Sequence, residues 1–73
     1  MTGDKILEDD RMVHKANQIA LYFKAYPHEK AVDGVADHIQ KFWPPQMRAQ
    51  LKNYIESGQG DLEKLVVEAS EKF

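Results

Sequence analysis

Pro44 and Pro45 stand side by side in the middle of the chain, and Pro27 lies seventeen residues before them. A proline has no amide hydrogen and its ring clashes with the preceding turn, so neither a helix interior nor an inner strand runs through these positions. The residue before each proline is pushed towards extended angles, which breaks the chain near Tyr26 and again at Trp43 and Pro44. Between the breaks, apolar residues recur every three or four positions. Val13, Ala16, Ile19, Ala20 and Phe23 form one stripe, and Val32, Val35, Ala36, Ile39, Phe42 and Trp43 a second. Pro45 suits the first turn of a third helix with the stripe Met47, Leu51, Tyr54 and Ile55. Gly58-Gln59-Gly60 ends it, and Asp61 is placed to cap a fourth helix carrying Leu62, Leu65, Val66, Ala69 and Phe73. Nothing alternates with period two over a useful length. The expectation is an all-α fold: residues 10–73 as one compact domain of three to four short helices, behind a mobile tail at residues 1–9. Gly34 interrupts the second stripe at a cost of about 1 kcal/mol relative to alanine, which marks it as a place where another helix comes close.

A chain of 73 residues has little core to spend on stability. Apolar burial on the order of 110 kcal/mol stands against about 110 kcal/mol of ordering entropy, so a partner that covers apolar surface matters to such a chain. The absence of cysteine removes disulfides, thiolate metal sites and a cysteine nucleophile from consideration. The longest apolar runs, such as Ile19 to Phe23, are far too short to span a bilayer. Asp4, Glu8, Asp9 and Asp10 are the wrong chemistry for a targeting peptide. No membrane association is expected, and the expected location is cytoplasmic.

Charge is unevenly spread. The segment from Lys15 to Lys52 holds six basic and three acidic residues, net +3, whereas residues 53–73 hold two basic and five acidic, net −3. A sequence pI near 5.8 argues against a dedicated nucleic-acid binder, which needs surplus cations to displace counterions. A helix-turn-helix reading fares no better, because the third helix offers only Arg48 and Lys52 before Glu56.

Catalytic, cofactor and metal constellations are all expected to be absent. His14, His28 and His38 are spaced too widely to share a helical turn as metal ligands do. Asp33 and Asp37 lie one turn apart, but Asp37 precedes Lys41 by four residues, the spacing of an ordinary surface ion pair. Ser57 and Ser70 lack the strand–turn–helix setting of a nucleophile, and the four glycines form no phosphate loop. The most unusual stretch is Phe42, Trp43, Pro44, Pro45, Met47 and Arg48, rich in the residue types that anchor protein interfaces. Neighbouring helical residues point about 100° apart, so Phe42 and Trp43 do not face one small core equally. This segment is the candidate partner interface. Asn17 and His38, beside the apolar stripes, are expected to make structural hydrogen bonds.

Several segments together resemble the delta subunit of bacterial NAD-dependent, molybdenum-containing formate dehydrogenase. They are Asn17-Gln18-Ile19-Ala20 with Tyr22-Phe23, Val35-Ala36-Asp37-His38-Ile39, Phe42-Trp43-Pro44-Pro45, Met47-Arg48-Ala49-Gln50-Leu51 and Leu65-Val66-Val67-Glu68-Ala69. The resemblance spans roughly residues 12–70; one departure is Gln46, where that family commonly carries arginine. It implies a non-catalytic accessory chain that helps assemble or stabilise a cytoplasmic enzyme oxidising formate with NAD. Its partners are then the larger subunits, which hold the molybdenum-pterin, iron–sulfur and flavin groups. The alternative is a stand-alone helical regulator or small-ligand-binding homodimer using the same apolar segment.

Overall fold

The computed structural model describes residues 8–58 and 60–73. Four helices follow one another: α1 (Asp9–Phe23), α2 (His28–Phe42), α3 (Pro45–Glu56) and α4 (Lys64–Ala69). Of the expected tail, Glu8 flanks α1 and Asp9 begins it; residues 1–7 lie outside the described residues. Among the described residues there is no strand. The fold is all-α, as the periodicity predicts.

The prolines act where their chemistry places them. Pro27 and Pro44 occupy the N-cap positions of α2 and α3 in extended geometry, with ψ of 150° and 157°, and Pro45 is the first residue of α3. Trp43, held extended by the proline after it, has φ −97° and ψ 133°, and this ends α2. At the far end of α3, Gly58 adopts a φ of +83°, a left-handed conformation that suits glycine, and its N–H donates to the Ile55 carbonyl at 3.1 Å.

α2 packs against both α1 and α4, and α1 also touches α3 and α4. Met12, Ile39, Leu51, Val35 and Val66 are the largest fully buried side chains, one or more from each helix. Ala16 and Ala20 on α1, with Ala31 and Ala36 on α2, keep the interhelical faces small. The C-terminal Phe73 packs on this core, with the Lys52 ammonium 5.7 Å from its ring centre.

Two details of the stripes differ from expectation. Phe42 is not part of the buried face of α2: it is 70% exposed, while Trp43 next to it is 8% exposed and belongs to the core. The pre-proline turn at Trp43 leaves the helical path, so the two rings separate onto opposite environments. Asp61 does not cap the fourth helix, which begins three residues later with Glu63 as N-cap. Its groups are engaged elsewhere, by Asn17 and Tyr54, as described below.

Gly34 does mark a close approach. A Cβ built there would lie 2.5 Å from both Cδ1 and Cε1 of Phe23 and 3.1 Å from its Cγ. Because the ring root is among the close atoms, the whole Phe23 ring must move. Gly34→Ala gains about 1 kcal/mol of helix propensity but incurs about 1–3 kcal/mol of overpacking. A net loss of about 1 kcal/mol is expected in urea denaturation; a variant more stable than the parent would show that the ring moves freely.

Candidate functional site

The α1–α2 hairpin carries an aromatic seam on its outer face. Phe23 lies over Gly34, and four residues further from the turn on each helix Ile19 comes beside His38. Around this line, Gln18, Ile19, Tyr22, Phe23 and His38 enclose an open groove of about 420 Å³. The rings form two clusters, one around the end of α1 and one on α2, which face each other where Tyr22, Phe23 and His38 line the groove. Tyr22 and Phe23 meet edge to face at 5.0 Å, Phe23 and Tyr26 lie 5.7 Å apart, and His38 sits 4.8 Å from Phe42. Tyr22 is 69% exposed and Phe42 70% exposed. Single exposed apolar residues are ordinary, whereas a contiguous row of rings is what protein-binding surfaces present.

Of the candidate site residues named from the sequence, the structure brings Phe42 and His38 to this seam. Trp43 is in the core, Pro44 and Pro45 are exposed at the α2–α3 corner, and Met47 and Arg48 are half-buried on α3. Ile19, Tyr22, Phe23 and His38 come together because two helices meet. The sequence signal that points there is Gly34, one turn before His38 and opposite Phe23.

Asn17 reaches from α1 to the segment before α4. Its Nδ2 donates to the Asp61 carbonyl and its Oδ1 accepts from the Glu63 N–H, both at 2.9 Å. From the other side the Tyr54 hydroxyl donates to Asp61 Oδ2 at 2.9 Å. The bridge from α3 to α4 is thus pinned to α1 and α3, and the Asp61 carboxylate is turned to Tyr54 instead of to α4. The hydrogen bond to Asp61, with its negative charge, raises the Tyr54 pKa above the usual phenol value. The neutral phenol is favoured in the fold, so this contribution is present below the usual phenol range and is lost as pH rises through the raised value. Asn17→Ala leaves the part-buried Glu63 N–H without its acceptor and is expected to cost about 1–2 kcal/mol. Asn17→Asp keeps an acceptor but sets a carboxylate against the Asp61 carbonyl, so it is expected to rescue nothing. Faster amide exchange at Glu63 in Asn17→Ala is the corresponding signature; unchanged exchange there would contradict the bridge. His38 differs from Asn17: among the described residues its contact is the Phe42 ring and not a hydrogen bond.

Asp33, Asp37, His28, Ser57 and Ser70 each have a partner within the chain. Asp37 pairs with Lys41 at 3.3 Å, the expected i,i+4 bridge, and Asp33 accepts from Lys72 at 2.8 Å. That contact with Asp33 raises the Lys72 pKa. His28 Nε2 lies 2.6 Å from Glu68. Ser57 and Ser70 donate to the carbonyls of Tyr54 and Val67, both at 2.6 Å, at the ends of α3 and α4. Among the described residues, no group of three or more His, Asp or Glu side chains is placed to hold a metal ion. No helix among them is long and apolar enough to cross a membrane. A second, more polar hollow of about 570 Å³ lies between the start of α1 and the outer face of α3, lined by Asp9, Gln46, Ala49, Asn53, Tyr54 and Ser57.

No curated protein and no solved structure matches the chain. A family model does, that of the NADH-dependent formate dehydrogenase delta subunit FdsD, over residues 11–70. This range runs from the first turn of α1 past the end of α4, and so takes in nearly all of the four helices together with the seam. The chain belongs to the family of formate dehydrogenase delta subunits.

Proposed function

We propose that this chain is a non-catalytic accessory subunit that helps assemble or stabilise a cytoplasmic NAD-dependent formate dehydrogenase by docking on its larger subunits. The observation that carries this reading is the exposed aromatic row on a domain of which residues 11–70 match a subunit family. A 73-residue helical domain with a marginal energy balance gains most from a partner that covers such a row. The occupation of Ser57, Ser70, Asp33 and Asp37 by backbone and lysine contacts also supports a binding role over a chemical one.

Purification from the native cell through a tag on this chain tests the proposal. The expected result is a stable complex with a large molybdenum-containing subunit. A lone homodimer would instead favour the stand-alone regulator, and would remove the accessory reading.

A further inference from the structure

We infer that the α1–α2 seam is the docking face of this subunit, and that its occupant is a segment of a larger subunit carrying apolar anchors flanked by Asp and Glu. The inference rests on the accessory reading and adds to it a surface and a partner chemistry.

Charge decides the occupant. On α1, Arg11, Lys15, Gln18 and Tyr22 follow one another at helical spacings of four, three and four, so they share one flank. Lys30, Gly34, His38 and Lys41 do the same on α2. The contact of Phe23 with the Gly34 position and the groove shared by Ile19 and His38 show that these two flanks border the same seam. The antiparallel register sets Lys15 at the level of Phe42 and Lys30 beyond Tyr26, one at each end of the aromatic row. The seam is thus bordered by Arg11, Lys15, Lys30 and Lys41, against three carboxylates: Asp37, which pairs with Lys41, Asp33 beside Gly34, which pairs with Lys72, and Glu8 at the start of α1. Among the described residues, the ion pairs are Lys24–Glu63, His28–Glu68, Lys41–Asp37 and Lys72–Asp33, and they give Arg11, Lys15 and Lys30 no carboxylate. Four of the ten basic residues of a chain whose formal net charge is −2 thus border the face that also exposes the rings.

The same charge disfavours a second copy as occupant. A twofold pairing of seams would oppose each cationic rim to its own image, and like charges facing across an interface are costly. An apolar segment with acidic flanks satisfies both features: its side chains enter between Tyr22, His38 and Phe42, and its carboxylates reach the lysines at either end. The helical part of the row, from Lys15 to Phe23, is about 12 Å long at the helical rise, room for about two turns of a partner helix or a shorter extended strand.

The test is co-expression of the larger subunits with this chain, purification through a tag on a larger subunit, and measurement of the bound chain and its dissociation constant. Tyr22→Ala with Phe42→Ala is expected to weaken binding about 30-fold or more, as loss of interface anchors does. Lys15→Glu with Lys30→Glu is expected to weaken it about tenfold and to abolish most of its sensitivity to ionic strength. Lys64→Glu, a charge reversal on α4, is the control and is expected to bind as the parent does. Circular dichroism of each isolated variant confirms that the helices persist, since none of the substituted side chains is in the core. If the parent binds and the seam variants bind equally well, the inference falls while the accessory reading stands. If the parent itself does not bind, the accessory reading falls and the inference with it. A homodimer of the isolated chain that the seam substitutions dissolve would assign the seam to a second copy and overturn the inference.

Discussion

Trp43→Ala is expected to leave the isolated chain largely unfolded at room temperature. Trp43 is 8% exposed within the core, and truncating a buried tryptophan costs about 3–5 kcal/mol through lost burial and the cavity left behind. A domain of this length has a total stability on the order of 4–11 kcal/mol, and a small core places it towards the lower end. The loss therefore consumes most of what is available. Phe42→Ala provides the contrast one residue away: with a ring 70% exposed, its effect on stability is expected to stay within about 0.5 kcal/mol. Far-ultraviolet circular dichroism with urea titration measures both. A Trp43→Ala variant that retains a cooperative helical transition near the parent's midpoint would show that the indole is not a core element.

The contrast between these neighbours shows where local pattern suffices to read this fold and where it does not. The helix breaks at Pro27, Pro44 and Pro45 are chemical properties of single residues, so they are legible without any tertiary information. The stripes are legible too, because 3.6-residue periodicity is a local record of burial, although Met12 and Ala31 are buried outside the stripes drawn from the pattern. The division of labour between Phe42 and Trp43 is set at a helix end, where the turn into Pro44 takes over from the helical register, and periodicity no longer reports which ring points inward. The start of α4 fails for a different reason. Asp61 is a good cap by residue type, but Asn17 and Tyr54 reach it from 44 and 7 residues away in the chain and fix it in another role. The seam is the least legible part, since Ile19, Tyr22 and His38 become neighbours only when the hairpin closes. Phe42, His38 and Gly34 stand out in the sequence singly, for different reasons, and nothing local says that they share a face.

The second large effect concerns the enzyme and not the chain. Omitting this subunit during expression is expected to lower the yield of active formate dehydrogenase, to shorten its half-life, or both. If the chain binds the assembled enzyme and not its opened form, saturation at about 100 times the dissociation constant stabilises the bound state by about 2.7 kcal/mol. Inactivation that proceeds through the opened form then slows by up to about 100-fold. A role in assembly differs in its timing, because a wrongly assembled enzyme has already formed before late addition can act.

Formate-dependent NAD reduction, followed over time with this chain present during expression, added afterwards or absent, tests the accessory role most directly. The account predicts full activity and the longest half-life when the chain is present throughout. Late addition is expected to restore the half-life if the chain stabilises the enzyme, and to restore nothing if it acts during assembly. Equal activity and equal half-life in all three preparations would contradict it.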